Sequence, residues 1–514
     1  PVLTTSLNGT SLRTGKIASI RMTKTSPKHP ILLPHSRRPF TFLPMRSATL
    51  LLSLFILGSS TLSANDRPNI ILFLADDLGW TGLSSFGSDF YETPNLDRLA
   101  SKGVKFTNAY AACTVCSPTR ASIMTGMYPA RLQLTDFIAG QNRPFAKTTI
   151  PDWTKGLEKD YTTIAEALKG GGYRTVHVGK WHLDFPDQPN QGPTAHGFDV
   201  SHDKPKGTRG YYIKDEIVQD LGLETNYSTD YQTDKAIEEI ERSKENPFFL
   251  YFAYNAPHTP IQGRDDLVAY FEKKVNPKAT HRNPTYAAMV KSLDLSVGRV
   301  LDHLDAIGLS DNTLIVFTSD NGGLTQRYGK HDEFTENLPL RRGKGSAYEG
   351  GVRVPTIAYW PGVTQPGTVS ATPVITTDYY PTFLAASGVK GHHGHNARMD
   401  GKNLIPTFEN PNHSIDRNLF WHFPHYHAGG DGPYSSIRSG GWRLVEFHED
   451  GKLELYRLEN DIGESFDLAT SHPEKRAHLQ AELHKWRRSI AAQMPKPNPN
   501  YDPENATKVA RNRN

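Results

Sequence analysis

The segment CSPTRASIMTG, Cys116–Gly126, predicts a short helix that begins beside a cysteine. Pro118 suits the first helical position, because the first N–H groups of a helix have no partner within it. Ser117 is therefore predicted as the N-cap and the final glycine as the end of the helix. Cys116 would then precede a helix N-terminus, where free N–H groups and the helix dipole favour an anion. Arg120 follows about one turn later on the same side, so a reactive side chain, an anion site and a positive charge converge.

This segment resembles the signature of the type I sulfatases, C-x-P-S/T-R followed by A-S-x-x-T-G. In that family the cysteine is oxidised after synthesis to Cα-formylglycine, and the hydrated aldehyde is the nucleophile. The resemblance therefore implies that Cys116 is converted to formylglycine. It also implies a maturation partner, either a formylglycine-generating enzyme or an anaerobic sulfatase-maturating enzyme.

The spacing of Cys113 and Cys116 allows other interpretations. A C-x-x-C pattern also occurs in redox dithiols and in halves of zinc sites. The chain of 514 residues has two cysteines, too few for a cysteine-rich zinc site, and it is several times longer than a thioredoxin-like domain. A buried structural thiol is a further alternative. A redox role predicts loss of function in a Cys113→Ser variant, whereas the sulfatase resemblance predicts little effect.

The formal charge of +4 is concentrated near the N-terminus. Residues 1–64 contain eight lysines or arginines and no acidic residue, so the remainder carries 50 basic and 54 acidic residues. The remaining chain is therefore slightly acidic. Without a basic patch, nucleic acid is not expected as a partner.

The N-terminal residues also predict export. Met45-Arg46 precede the apolar run Ala48–Leu57 and then small residues up to Ala64, which is the pattern of a secretory signal peptide at 45–64. A secreted or periplasmic protein is therefore expected. The apolar run is too short for a comfortable membrane span, so no stable membrane insertion is expected, although a retained anchor is the alternative. Residues 1–44 are predicted to be a non-native upstream extension.

Apolar runs that suit buried strands alternate with helical patterns along most of the chain, which predicts an α/β fold. We expect a large, mainly parallel mixed sheet flanked by helices in a catalytic domain at 65–414. Short alternating runs separated by glycine-rich turns predict a smaller C-terminal α+β subdomain with an antiparallel sheet at 415–493. Residues 494–514 are rich in proline and asparagine and are predicted to be a loose tail. The sulfatase resemblance implies the alkaline-phosphatase-like superfamily fold.

Two predicted strands, Asn69–Leu74 and Thr313–Thr318, are each followed by a pair of oxygen-bearing side chains. Adjacent carboxylates are costly unless a positive charge lies between them, and ligand groups gather at the carboxyl ends of parallel strands. Oxygen ligands favour calcium or magnesium over zinc, and the alternative is a solvated turn. The resemblance implies one Ca²⁺ per chain, with Mg²⁺ possible, held by Asp76, Asp77, Cys116, Asp320 and Asn321.

The pentapeptide GKWHL, at 179–183, follows another predicted strand and resembles a second sulfatase motif. Taken singly, a lysine and a histidine are usually surface and core residues. The resemblance implies that Lys180 and Arg120 hold the formylglycine diol. It implies that His182 is the base that removes a proton from it, since a histidine can accept a proton near neutral pH.

Two further segments resemble the same family. NAPHTP at 255–260 carries His258, and RRGKG at 341–345 carries Lys344 ahead of EGGVRVP at 349–355. Arg342 stands where the family pattern has glycine. The resemblance implies that His258 and Lys344 bind the sulfate or protonate the leaving oxygen.

The substrate class is less strongly indicated. The segment Trp421–His427 and the histidines His392, His393 and His395 could stack on and hydrogen-bond sugar rings, or could be ordinary loop residues. With export, a sulfated polysaccharide or oligosaccharide is the favoured substrate. The alternatives are a phosphonate or phosphodiester hydrolase on the same scaffold, and a non-catalytic glycan-binding protein if Cys116 is not matured.

Overall fold

The computed structural model describes residues 67–138, 140–188, 191–325 and 334–510. The predicted extension at 1–44 and the signal peptide at 45–64 lie outside these residues. Within the described part of the chain, none of the helices combines the length and apolar character needed to cross a membrane. Residues 67–510 belong to one compact unit, and the domain limits at 65–414 and 415–493 stay predictions.

The strands and helices follow one another in βα order through the first three quarters of the chain. The strands are β1 Asn69–Ala75, β2 Val104–Phe106, β3 Ala109–Tyr110, β4 Thr148–Thr149, β5 Arg174–Gly179, β6 Val200–His202, β7 Phe248–Ala253, β8 Thr313–Ser319, β9 Thr356–Tyr359, β10 Thr368–Ser370, β11 Val374–Ile375, β12 Asn418–Phe423, β13 Tyr434–Ser439, β14 Trp442–Phe447, β15 Leu453–Arg457 and β16 Lys496–Pro497. The helices are α1 Pro94–Lys102, α2 Cys116–Thr125, α3 Pro129–Leu132, α4 Ile164–Gly170, α5 Asp215–Leu221, α6 Ser228–Ser243, α7 Asp265–Glu272, α8 Pro284–Ala306, α9 Glu349–Val352, α10 Tyr379–Ser387, α11 His393–Asn396, α12 Ile405–Glu409 and α13 Pro473–Ser489.

Eight of the described strands form one sheet in the order β10-β2-β9-β8-β1-β7-β5-β6. The pairs of β1 with β7 and β8, and of β5 with β6 and β7, are parallel, whereas β9 is antiparallel to both of its neighbours. This confirms the predicted large, mainly parallel mixed sheet. The central strands β1, β7 and β8 are buried along their whole length, because helices cover both faces, and a strand buried on both faces reads as a continuous apolar run.

Helix α8 illustrates how the sequence specifies these covering layers. Its buried residues include Tyr286, Met289, Leu293 and Val297, which recur at helical spacing and pack on one face of the sheet. Asn283 caps the helix, since its Oδ1 accepts a hydrogen bond from the Tyr286 N–H at 3.0 Å. An asparagine N-cap followed by proline is a strong helix start.

Helix α2 begins slightly earlier than the sequence predicts. It starts at Cys116, and the extended residue before it, Val115, occupies the N-cap position without a side-chain hydrogen bond. Ser117 does not cap the helix, because its Oγ instead accepts a hydrogen bond from the Ile138 N–H at 3.2 Å. The predicted end is confirmed, since Gly126 takes a left-handed conformation with φ 70°.

The C-terminal part contains a four-stranded antiparallel sheet in the order β12-β13-β14-β15. Helix α13 packs against it through Leu479, Leu483 and Trp486. The predicted smaller antiparallel sheet is therefore confirmed.

The structure differs from the predicted loose tail. Strand β16 pairs with β4, and the Asn498 Nδ2 donates hydrogen bonds to the carbonyl oxygens of Pro144 at 2.9 Å and Ala146 at 2.7 Å. Further along, the Ala510 N–H donates to the Asn142 carbonyl oxygen. These backbone groups would otherwise need water, and pairing them fixes the segment.

Candidate active site

The first pair of carboxylates lies at the carboxyl end of β1, beside the pair that follows β8. The two strands are parallel, with Ala75 opposite Ser319, so Asp76 and Asp77 meet Asp320. The Asp77 N–H donates to the Asp320 Oδ1 at 3.1 Å. Asp77 has a left-handed backbone, φ 64°, which is a strained conformation typical of functional sites. All three carboxylates are buried.

The oxygen donors of this cluster fit a hard divalent cation. Ligand atoms of Asp76, Cys116 and Asp320 lie within 4.8 Å of one another. The Asn321 Nδ2 donates to the Asp77 Oδ1 at 2.7 Å and to the Gly322 carbonyl oxygen at 3.0 Å, which turns the amide oxygen away from both. Asp76 Oδ1 and Asn321 Oδ1 are buried and have no hydrogen-bond partner among the described residues. Buried oxygens of this kind need a partner, and oxygen donors suit calcium or magnesium.

Three cationic side chains surround the carboxylates. The Arg120 Nε and Nη2 donate to the Asp320 Oδ2 at 3.0 and 2.7 Å, and its Nη1 donates to the Lys180 carbonyl oxygen at 2.7 Å. The Lys180 Nζ donates to the Asp76 Oδ2 at 2.5 Å. The Lys344 Nζ donates to the Asp77 Oδ2 at 2.8 Å. Each cation is therefore held in place by a carboxylate, which fixes its position for a bound anion.

Burial raises the pKa values of the carboxylates, and the neighbouring cations lower them. Burial raises the pKa of Asp76, but Lys180 and the neighbouring cations hold it well below its ordinary value. Burial and the adjacent Asp76 raise the pKa of Asp320 despite the contact with Arg120. The negative charges of two carboxylates this close repel each other, which opposes the ionisation of both. A cation bound between them would offset this repulsion.

Both predicted histidines are neutral at pH 7. The His182 Nε2–H donates to the Ile138 carbonyl oxygen at 2.5 Å, so Nδ1 is the basic nitrogen, and it has no partner among the described residues. Burial, followed by Lys180, lowers the pKa of His182 to about 3. The His258 Nδ1–H donates to the Thr259 carbonyl oxygen at 2.7 Å, and burial followed by Lys344 lowers its pKa to about 4.

These groups meet at a cavity of about 410 Å³. Six predicted residues line it: Asp76, Cys116, Lys180, His182, His258 and Lys344. The other four, Asp77, Arg120, Asp320 and Asn321, are buried and do not line it. The first three lie against lining residues, and Asn321 contacts Asp77. The structure therefore brings all ten predicted site residues together.

Several cavity residues carried no sequence signal. They include Phe137, Gln141, Lys204 and Tyr211. The first two follow helix α3 in a stretch without a motif. Lys204 and Tyr211 lie in a proline- and glycine-rich segment without a regular pattern. Its position after the GKWHL motif and before the next helix was an indication that it lies near the site.

The aromatic and histidine segments proposed for sugar contact divide into two groups. Trp421 is buried and its Nε1 donates to the Ala111 carbonyl oxygen at 2.9 Å. His395 and His425 are likewise buried and bond to Thr125 and Thr135. For these residues the ordinary structural interpretation holds. Only the end of the segment, His427, lines the cavity.

The glycine-rich segment before α9 brings Lys344 to the cavity. Gly345 has φ +83°, and a Cβ there would lie 2.0 Å from the His427 Nδ1. Arg342 adopts a left-handed backbone with φ 59°, and its Nε lies 3.1 Å from the Asp431 Oδ1. Glycine adopts this left-handed conformation more readily than arginine, but Arg342 adopts it here and also pairs with Asp431. The backbone therefore follows the course that the motif needs, and Lys344 stays in position.

Two family models match this chain. The sulfatase model matches residues 68–389. The model for the C-terminal region of N-sulphoglucosamine sulphohydrolase matches residues 343–493. Together they span both the large sheet and the C-terminal sheet.

Individual relatives give the same result. A protein named sulfatase from Formosa agariphila is 33% identical over 497 residues, which is 82% of this chain and 88% of the relative. The N-acetylgalactosamine-6-sulfatase of Rattus norvegicus is 33% identical over 74% of this chain and 72% of its own length. The crystal structure of Ps i-CgsB, also solved in complex with k-i-k-neocarrahexaose, is similar with a TM-score of 0.69 at 32% identity, covering 85% of this chain and 94% of that one.

Proposed function

The chain belongs to the sulfatase family and is a sulfuric ester hydrolase, and we propose that it removes sulfate from sulfated polysaccharides or oligosaccharides. Two of the similar proteins act on or bind such carbohydrates by name, an N-acetylgalactosamine-6-sulfatase and a protein crystallised with k-i-k-neocarrahexaose. The observation that carries the proposal is the position of Cys116 in the cavity wall, beside Asp76, Lys180 and Lys344.

We propose that Cys116 is matured to formylglycine and that one Ca²⁺ is bound per chain. The hydrated aldehyde would supply a nucleophilic hydroxyl, together with a second hydroxyl whose deprotonation releases the product. A Ca²⁺ ion would be held by oxygens of Asp76, Asp77, Asp320 and Asn321 and by residue 116. When bound, the ion supplies Lewis-acid stabilisation and a template for the anionic substrate.

The chain's own side chains would orient the substrate and move protons. Arg120 is buried beneath the cavity and Lys180 lies in its wall, where they would hold the hydroxyl groups of residue 116. Lys344 and His258 would bind the sulfate oxygens or protonate the leaving oxygen. His182 lines the cavity and its Nδ1 has no partner among the described residues, so it would be the group that accepts the proton of the diol. Its lowered pKa keeps it unprotonated at pH 7 and also makes it a weak base.

We further propose that the chain is exported and that Cys116 is oxidised before the chain has folded. The predicted signal peptide at 45–64 would direct the chain out of the cytoplasm. Cys116 is 2% exposed in the folded chain, so oxidation by a formylglycine-generating or anaerobic sulfatase-maturating enzyme would occur before folding is complete.

The direct test is the mass of the tryptic peptide that carries residue 116, from protein made in a host with a maturation system. We expect a peptide lighter by the exchange of the thiol for an aldehyde, and the same change in a Cys113→Ser protein. Sulfate, phosphate and phosphonate esters of one phenol would then be compared. An unmodified thiol from a competent host contradicts the formylglycine mechanism, and faster turnover of the phosphorus esters favours the hydrolase alternative.

Metal removal gives a second prediction. We expect that Ca²⁺ at one hundred times its dissociation constant raises the unfolding free energy of chelator-treated protein by about 2.7 kcal/mol, because only the folded state assembles the ligands. The measurement is urea unfolding with and without Ca²⁺, repeated with Mg²⁺. Asp320→Asn should lose most of this increment, whereas Asp265→Asn, at an exposed acid outside the cluster, should keep it. An unfolding free energy that does not respond to either ion would refute the metal assignment.

A further inference from the structure

Lys204 is a cavity cation that differs from the others in its contacts. Its Nζ donates to the Gly210 carbonyl oxygen at 3.1 Å, and it forms no salt bridge with a carboxylate in the described part of the chain. Lys180 and Lys344, in the same cavity, each contact an aspartate. An ammonium group has three donors, so two donors of Lys204 are available to a ligand.

The position of Lys204 is fixed by the segment that follows strand β6. Its own N–H donates to the Asp203 Oδ1 at 2.7 Å, and its Nζ lies 5.9 Å from the centre of the Tyr211 ring. The Tyr211 hydroxyl lies 2.5 Å from the Asn255 carbonyl oxygen and 2.8 Å from the His258 carbonyl oxygen. The Lys204 segment is therefore attached to the segment that carries His258 in the reaction centre.

The surroundings of Lys204 leave its charge incompletely compensated. Burial lowers the pKa of Lys204, Asp203 opposes this, and Lys180 lowers it further. A negative ligand group at this wall would offset both the desolvation and the repulsion from Lys180. The influence of Lys180 and Asp76 also shows that Lys204 lies within electrostatic range of the reaction centre.

We propose that Lys204 binds a second anionic group of the substrate, a sulfate or a carboxylate on the same sugar or its neighbour, and so makes the enzyme selective for polyanionic saccharides. This rests on the proposed function, since the first sulfate occupies the site beside residue 116. The carboxylate-paired Lys180 and Lys344 belong to that first site. Lys204 is the cavity lysine left for a further charge.

The test measures binding separately from turnover. In a Cys116→Ala background, calorimetry would compare two matched pairs of probes. One pair is the κ- and ι-carrageenan tetrasaccharides, which differ by one sulfate per disaccharide, and the other is N-acetylgalactosamine 6-sulfate with and without a linked hexuronate. In at least one pair, we expect the probe with the additional anionic group to bind more tightly. Lys204→Ala should reduce that preference roughly 10- to 100-fold, the worth of a hydrogen bond to a charged group. The pair that responds distinguishes sulfate from carboxylate.

Two variants serve as controls. Lys204→Arg keeps the charge and should retain most of the preference. Lys206→Ala removes an exposed lysine two residues away that does not line the cavity, and should leave the preference unchanged. The proposal is overturned if no probe with the additional anionic group binds more tightly than its partner probe. It is also overturned if Lys204→Ala weakens the binding of both probes of each pair equally, or of neither. The same holds if Lys206→Ala reduces the preference as much as Lys204→Ala does. Matured wild-type protein that cleaves no sulfated saccharide would instead refute the proposed function.

Discussion

A Cys116→Ala variant is expected to lose turnover of sulfate esters by a factor on the order of 10⁴ to 10⁶, the effect of removing a catalytic nucleophile. The side chain at position 116 lines the cavity beside Lys180 and Lys344, so its removal leaves the charged groups without a reacting atom. The fold should be retained, because deleting one small side chain beside a cavity costs about 1 kcal/mol. The measurements are kcat on a small aryl sulfate and the midpoint of thermal unfolding.

Cys113→Ser is the matched control. Cys113 is buried, does not line the cavity, and burial raises the pKa of its thiol, which opposes the thiolate that redox chemistry needs. We expect kcat to change little, although a buried hydroxyl without a partner costs stability, about 1–3 kcal/mol. Equal loss of turnover in both variants would favour the redox dithiol, and full turnover in Cys116→Ala would remove residue 116 from the mechanism.

The central sheet was predictable from the sequence because its strands are buried on both faces. Such strands appear in the sequence as continuous apolar runs rather than as alternating apolar and polar residues. The runs at Asn69–Leu74 and Thr313–Thr318 are examples, and each strand in the structure is longer than its run by a single residue. Helix α5 was missed for the opposite reason. It is 7 residues long and has no buried residue, so it is too short for a helical period to be recognised in the sequence. The tail at 496–510 was missed because hydrogen bonds of its backbone and of Asn498, rather than an apolar pattern, attach it.

The floor of the site was more predictable than its walls. Asp76, Asp77, Asp320 and Asn321 follow strands that a parallel sheet brings to one edge, so topology alone placed them near one another. Their roles came from the family resemblance, since burial and charge do not distinguish a ligand from a structural carboxylate. Wall residues such as Lys204 belong to segments whose course depends on tertiary contacts, and no local pattern specifies those contacts.

Replacing Arg443 by methionine is expected to lower the unfolding free energy by about 3–5 kcal/mol, the usual cost of breaking a buried ion pair by removing one of its members. Arg443 lies on β14 and is fully buried. Its Nη1 forms an ion pair with the Glu349 Oε1 on α9, and its Nη2 donates to the Ala347 carbonyl oxygen at 2.7 Å. It therefore joins the C-terminal sheet to the segment that carries Lys344. Urea unfolding gives the loss directly.

A surface pair provides the control. Arg299 and Asp234 are 2.5 Å apart and both about half exposed, so Arg299→Met should cost at most about 1 kcal/mol. A comparably small loss in Arg443→Met would mean that the buried network contributes no more than a surface ion pair.

The pH dependence separates a buried charge from lost packing. Burial raises the pKa of Glu464, which lies beside Arg443, to about 8, although Arg443 lowers it. In the wild type this raised pKa stabilises the fold below the ordinary value of 4.5, and that contribution is lost as pH rises through about 8. Without Arg443 the pKa would rise further, and the ionised Glu349 would lose a partner. The loss in Arg443→Met should therefore be larger at pH 9 than at pH 5, whereas a pure packing defect would cost the same at both.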